Sequence, residues 1–376
     1  MIPLPRAARA VLLLLALVFY PAPAYPQVAI RVLVMDDLAR LKIDFPPGYQ
    51  VEDRTGMGVL TRDTGGGASL VIDKDDPAMK GVRMLSRDNP VRINEYALTG
   101  VIEIKRNEKG LFRVINEIDL EDYTRAVVGE EMPGDWPMEA LKAQAVVART
   151  YALYVKLNCP GGDYDLRSTV ESQAFDGAAK VKSRPVLAAM ETEGEVVTYD
   201  GGPAETLYHS TCGGKTEDPA NVWGWSRPYL KPRDCQCVKE SPYALWRRVI
   251  TAGRIDDALT AGGYALKGVS SISIAQRSAE GRVMALDIGA DSGDITLKGS
   301  DFRRIVGYSR LPSTMFDVKR DGDSFVFVGR GSGHGVGLCQ WGAKVMAEGG
   351  KGYKEILMYY YPGTTVTKDP SREGGR

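Results

Sequence analysis

Residues 119–155 read DLEDYTRAVVGEEMPGDWPMEALKAQAVVARTYALYV, and the fold turns on them. Asp119 stands where a helix N-cap belongs, with Glu121 and Asp122 in the first turn, so a short helix is expected over 120–128. A second start follows at Pro137, a residue suited to a first helical turn. From there Met138, Leu141, Ala145, Ala148, Ala152 and Val155 recur at three- and four-residue steps and define one apolar face. Its alanines allow a neighbouring element to approach closely, while Glu139, Lys142 and Lys156 fall off that face. Between the helices lies Val127-Val128-Gly129-Glu130-Glu131-Met132-Pro133. A carboxylate on so short and apolar a link is partly desolvated, and desolvation, helped by a like-charged neighbour, raises its pKa. An acid that keeps its proton near neutrality can protonate a leaving oxygen. Glutamates at helix ends are also commonly solvated caps. Spacing alone favours the second reading.

On the N-terminal side the pattern is strands. Arg31–Met35, Ser69–Ile72, Gly100–Ile104 and Leu111–Ile115 are short apolar runs, the last two flanking a hairpin turn at Asn107–Gly110. On the C-terminal side a helix and two strands are expected over 178–207, split at Tyr199–Gly202. Further strands follow over 246–305, with a helix near Arg254–Ala261, and a short helix over 353–361 is stopped by Pro362-Gly363. The 376 residues suffice for one large domain or two, and 42 glycines and 21 prolines fit a turn-rich, β-rich chain. Lys plus Arg and Asp plus Glu balance at 48 each, so no net charge draws the chain to nucleic acid.

Residues 1–24 have the form of a secretory signal. Arg6 and Arg9 precede an apolar run, Ala10–Phe19, too short to span a bilayer, and Ala22-Pro23-Ala24 is a small-residue cleavage site. The mature chain is therefore expected to be exported, periplasmic or extracellular, without a membrane span. Five cysteines follow, at 159, 212, 235, 237 and 339. Export favours a disulfide from Cys212 to Cys235 or Cys237. The rival is a zinc site from His209, Cys212, Cys235 and Cys237.

Three further segments carry polar chemistry. Gln144 and Arg149 interrupt an otherwise apolar helix, either lining a groove or bonding nearby backbone. Tyr208-His209-Ser210-Thr211-Cys212-Gly213-Gly214 is material for a polar binding loop. Gly329–Leu338 places Gly at every second position. In a strand this bares one face for a close-approaching sugar or backbone, with Ser332 and His334 on the other. A serine nucleophile is disfavoured, because no acid is placed to orient either of the two histidines.

Taken in order, Glu131-Met132-Pro133, Ala140–Ala145, Ala148–Ala152, His209–Gly214, Trp223-Gly224, Pro228-Tyr229-Leu230, Gly333–Ala343 and Tyr360–Thr364 resemble the SpoIID/LytB family of bacterial sporulation and cell-wall proteins. The resemblance runs from about 92 to 365. It implies a lytic transglycosylase acting on peptidoglycan glycan strands stripped of peptide, with Glu131 as the catalytic acid/base and Tyr229 as the matching tyrosine. It places Gln144, Arg149, Tyr151, His209, Ser210, Gly333, His334 and Gln340 on the substrate. Some members carry zinc on Cys and His shortly after the catalytic helix; Asp165–Gln173 has neither, so that site does not carry over, and no cofactor or metal is assigned. A non-catalytic enhancer of a cell-wall amidase is the alternative, with the amidase as partner. The expected fold is α+β: a signal peptide (1–24), a β-rich N-terminal region (25–91), a mixed α/β grooved catalytic core (92–367) and a disordered tail (368–376).

Overall fold

The computed structural model describes residues 28–47, 50–53, 59–62, 67–75, 81–158, 162–169, 172–177 and 183–369. Residues 1–24, expected to be a signal peptide, lie outside them, as do Cys159 and residues 370–376. The fold is α+β, as the sequence indicates.

One sheet gathers β1 (Ala29–Leu38), β2 (Arg40–Phe45), β3 (Gln50–Asp53), β4 (Val59–Arg62), β5 (Ala68–Asp73), β6 (Gly81–Ile93), β7 (Tyr96–Arg106), β8 (Phe112–Asp119) and, after two helices, β9 (Leu166–Arg167). Its main path runs β4-β3-β6-β7-β8-β1-β9, with β2 and β5 paired beside β6. The expected boundary at 91/92 is absent from this sheet. β6 runs through it, and β1 lies antiparallel to β8 from Ala29↔Asp119 to Leu38↔Phe112. The reason is the alternation itself: Leu41, Ile43, Leu98, Ile102, Ile104, Phe112 and Val114 all point to one side and share a single core.

β8 delivers the chain into α1 (Leu120–Glu131), whose N-cap Asp119 accepts from the amides of Glu121 and Asp122. The helix runs three residues past the expected end and closes on Glu131, because Pro133 disfavours helical backbone at Met132. α2 (Met138–Asn158) is buried around most of its circumference, not along one face. Ala148, Ala152 and Leu153 pack into the sheet's core, while Ala140, Leu141, Ala143, Val146 and Val147 pack into a second one. A helix apolar on all sides belongs between two layers, and α2 takes that place.

The second core is completed by α3 (Arg184–Glu191), β10 (Glu195–Tyr199), β11 (Gly202–Pro203), β12 (Tyr208–His209) and α4 (Pro219–Trp223). After a short turn the chain leaves into an insert with its own core: β13 (Trp246–Thr251), α5 (Ala252–Ala261), β14 (Val269–Arg277), β15 (Val283–Ala290), β16 (Ile295–Lys298), α6 (Gly299–Val306), β17 (Phe316–Asp321) and β18 (Ser324–Gly329). β13 pairs with β18, and the Gly331 amide donates to the Tyr243 carbonyl at 2.8 Å, so the insert leaves beside the point where it enters. The chain then returns through β19 (Leu338–Cys339), α7 (Gln340–Glu348), α8 (Tyr353–Tyr360) and β20 (Thr365–Lys368). β20 pairs with β10, so Lys368, expected to begin the tail, closes a strand, and Asp369 donates its amide to Gly194.

Candidate active site

Glu131 sits at the C-terminal end of α1, where the helix dipole already disfavours a negative charge. Its Oε1 accepts from the Ala174 amide at 2.8 Å, and its Oε2 from the Gln340 side-chain amide at 3.2 Å. The same Gln340 nitrogen reaches Gln144 Oε1 at 3.4 Å. The Tyr208 hydroxyl lies buried within reach of Glu131 and Gln173 without a well-aligned bond, and Gln144 Nε2 is likewise buried without a partner. Tyr123 closes the group, donating to Gln173 at 2.9 Å.

The residue keeps partial exposure, yet burial of its carboxyl outweighs the Ala174 and Gln340 hydrogen bonds and the nearby Tyr208 hydroxyl, and its pKa is raised. No neighbouring charge contributes to that shift. The like-charged push expected from Glu130 is therefore not a cause: Glu130 points to solvent. Asp122 and Asp135 are exposed too, with Asp122 paired to Arg125. Burial, followed by the charge of Glu131, holds Tyr123 and Tyr208 well above the usual phenol range, so both are neutral donors.

Of the residues expected on the substrate, the structure gathers Gln144 and Gln340 at Glu131, and Tyr151 lies near Tyr123, packed on the first core. Arg149 is not among them. It is fully buried, its Nε and Nη2 on the Glu121 carboxylate at 2.8–3.0 Å and its remaining bonds on the Ala189 and Glu195 carbonyls. A guanidinium so engaged ties α1, α2, α3 and β10 together and has no free face for a sugar.

Tyr229 has other neighbours. It is 4% exposed, its hydroxyl accepts from the Glu205 amide at 2.9 Å, and its ring packs on Tyr199. The tyrosine that faces Glu131 is Tyr208. Sequence reasoning passed over it, although a two-residue strand places Tyr208 and His209 on opposite faces.

The glycine run is not a strand. Gly331, Gly333, Gly335 and Gly337 all have positive φ, between 73° and 102°, so the chain coils at every second residue. The close approach is made by the protein itself: a Cβ at Gly333 would meet the His209 Cβ at 2.7 Å, and one at Gly337 would collide with the Leu207 carbonyl. Gly333 thus packs against His209. Its partner His209 is buried, with Nδ1 on the Val336 carbonyl. Ser210 lends its carbonyl to the Trp341 amide. His334 accepts from the Val336 amide on Nδ1 and therefore donates from Nε2 to the Tyr208 carbonyl at 2.8 Å. Burial lowers both imidazoles, His334 to about 3, so both are neutral at physiological pH.

Against His334 stands Trp223, 44% exposed, with its ring 5.0 Å from the imidazole and stacked at 8° on Trp225. Trp223 thus offers an exposed indole, while the half-buried Trp225 ring also carries the Arg227 guanidinium 4.7 Å from its centroid. A cavity of about 610 Å³ lies elsewhere, in the insert, and is lined by Arg254, Asp257, Arg304 and Arg310 among others.

The four described cysteines are free thiols, so the expected disulfide is not formed among them. The three cysteines of the mixed His/Cys zinc set gather with the Cys339 sulfur, and His209 is not in that group. Among the described residues no helix is long and apolar enough to cross a membrane.

Two family models match the chain: Stage II sporulation protein over residues 108–199, which hold Glu131 and both of its helices, and a domain of unknown function (DUF8618) over 221–337, which covers the insert. An uncharacterized protein of Brachyspira hyodysenteriae is 37% identical over 257 residues, 67% of this chain and 68% of its own length. The amidase enhancer of Bacillus subtilis is 29% identical over 65% of this chain, but only 40% of its own length is covered. Stage II sporulation protein D of Bacillus subtilis is 31% identical over 321 residues, covering 80% of this chain and 87% of that protein. With the helical pair, the Glu131 cluster and that match over most of both chains in agreement, the chain belongs to the SpoIID family.

Proposed function

We propose that the protein is an exported lytic transglycosylase that cuts peptidoglycan glycan strands, with Glu131 as its single acid/base. The observation that carries this reading is a carboxyl with a raised pKa, no ion pair behind its shift, and amide donors on both oxygens. Protonated Glu131 gives its proton to the glycosidic oxygen as the C1–O bond breaks. The muramic acid's own 6-hydroxyl then attacks C1, and Glu131 takes the proton that this hydroxyl releases. The product is a 1,6-anhydro ring, no water is consumed, and the enzyme returns to its starting state. Hydrolysis would need a second carboxylate to activate water or to attack the sugar. Glu130, Asp122 and Asp135 all face solvent, which supports the one-carboxyl route. Exposed Trp223 is assigned to a sugar ring of the bound strand.

The test is mass spectrometry of products from peptide-stripped glycan. Wild type should release anhydro-ended fragments, and Glu131→Gln should lower the rate by about 10²–10⁴, the usual share of general acid–base catalysis. Full activity in that variant refutes the assignment. The likeness to an amidase enhancer favours a second reading, in which the chain binds glycan and stimulates a cell-wall amidase without cutting. That reading predicts no anhydro ends, and stimulation that survives Glu131→Gln.

A further inference from the structure

Four sulfurs from three separate segments converge at the root of the insert. Cys212 follows β12, Cys235 and Cys237 lie in the turn just before the insert, and Cys339 ends β19 just after it. All four Sγ atoms lie within 4.8 Å of one another, and three of the four residues are buried. We infer that Cys212, Cys235, Cys237 and Cys339 bind one Zn²⁺ ion as a structural site that fixes the insert and α7 to the catalytic core.

The spacing selects a mononuclear ion. A Zn–S bond of about 2.3 Å in a tetrahedron sets the sulfurs about 3.8 Å apart, inside the observed limit. A polynuclear iron–sulfur core, with its own bridging sulfides, does not fit between sulfurs this close. A disulfide requires an S–S distance of about 2.05 Å. Cys212 and Cys237 approach to 3.3 Å, while the other two sulfurs crowd the same point. Pairing any two would leave that convergence without a purpose.

Hydrogen-bond donors face the sulfurs. The amides of Cys212 and Gly342 donate to the Cys339 sulfur at 3.3 and 3.4 Å, and the Gly214 amide to the Cys212 sulfur at 3.4 Å. The Tyr360 hydroxyl lies 3.3 Å from the Cys235 sulfur. Such outer hydrogen bonds orient and stabilise ligating sulfur. Gly342 is needed for the approach, since a Cβ there would collide with the Cys235 sulfur and the Tyr360 hydroxyl. Four thiolates on Zn²⁺ carry a net double negative charge, and buried Arg282 supplies positive charge from the insert, its Nη2 donating to the Cys212 carbonyl at 2.7 Å. The ligand set also bears on the acid, because Cys339 directly precedes Gln340, the residue that donates to Glu131.

The experiment is metal analysis of the full chain purified without chelator or added metal, joined to X-ray absorption at the zinc edge. The expected result is one zinc per chain with a shell of four sulfurs at about 2.3 Å. Cys339→Ser should lower the zinc content at least several-fold, while Cys159→Ser should leave it unchanged. Should Cys339→Ser fail to fold, mercurial release of zinc from the wild type into a colorimetric chelator gives the same stoichiometry. Metal-free protein with a disulfide mapped among these four residues overturns the proposal, as does metal-free native protein with all four thiols open to alkylation. Iron in place of zinc overturns the metal assigned.

Discussion

The two histidines, both inside family motifs, invite a catalytic role, and the structure predicts that neither can titrate near neutrality. His334 is pushed from 6.5 to about 3, by burial first and then by the positive charges of Arg303 and Arg282. His209 is lowered for the same leading reason. A ring kept neutral when folded and free to protonate when unfolded makes the native state less stable as pH falls below 6.5. That loss continues down to the folded value. For His334 alone the loss between pH 7.5 and pH 5 is about 2 kcal/mol, with a ceiling of about 5 kcal/mol set by the whole gap. The chain has only these two histidines, so long-range ¹H–¹⁵N spectra contain two imidazoles and need little assignment. Both should stay neutral from pH 8 to pH 5, His334 with its proton on Nε2 and His209 with its proton on Nδ1. Urea unfolding at pH 7.5 and pH 5 should show the wild type losing about 2 kcal/mol more than His334→Gln over that interval. A folded-state midpoint near 6.5 for His334 would refute the reasoning and return it to the list of acids.

Three other outcomes follow. Arg149→Met takes the guanidinium away from the buried Glu121 carboxylate, and unfolding measurements should show a loss of about 3–5 kcal/mol, part of which Glu121→Leu restores in the double variant. Glu131 has a raised folded pKa, so it destabilises the native state progressively as pH rises from the ordinary carboxylate range through that value; Glu131→Gln should melt higher than wild type at pH 8, and the advantage should vanish at pH 4. Trp223→Ala should raise KM for glycan about fivefold with kcat nearly unchanged, the equivalent of about 1 kcal/mol of stacking.

The parts legible in the sequence were those governed by local chemistry. The Asp119 cap, the hairpin at Asn107–Gly110, the start of α2 at Pro137 and the stop at Pro362-Gly363 depend on neighbouring residues and appear as read. Glu131 was legible through a motif. Its environment was not, because Ala174 contributes a backbone amide that any residue possesses, and Gln340 arrives from 209 positions away. Arg149 misled for a related reason: a polar residue on an apolar helix reads the same whether it meets substrate or a buried carboxylate. The glycine alternation had two solutions, extended or coiled, and only packing against Leu207, His209 and Thr211 selects the second. Cys339 falls outside the His209, Cys212, Cys235 and Cys237 set that the sequence groups. Its proximity to Cys212 depends on β12 and β19 pairing across an insert with its own core.

The balance of forces on Glu131 bears on why one carboxyl can serve both halves of the proposed reaction. Burial alone would hold the proton too firmly to release it to a leaving oxygen. Hydrogen bonds alone would keep the carboxylate ionised with nothing to give. Here burial raises the pKa while Ala174, Tyr208 and Gln340 draw it back. An acid poised between those limits can lose its proton in the first step and regain one from the sugar hydroxyl in the second. Two of the three restraining groups come from segments adjoining the cysteine cluster: Tyr208 four residues before Cys212, and Gln340 directly after Cys339.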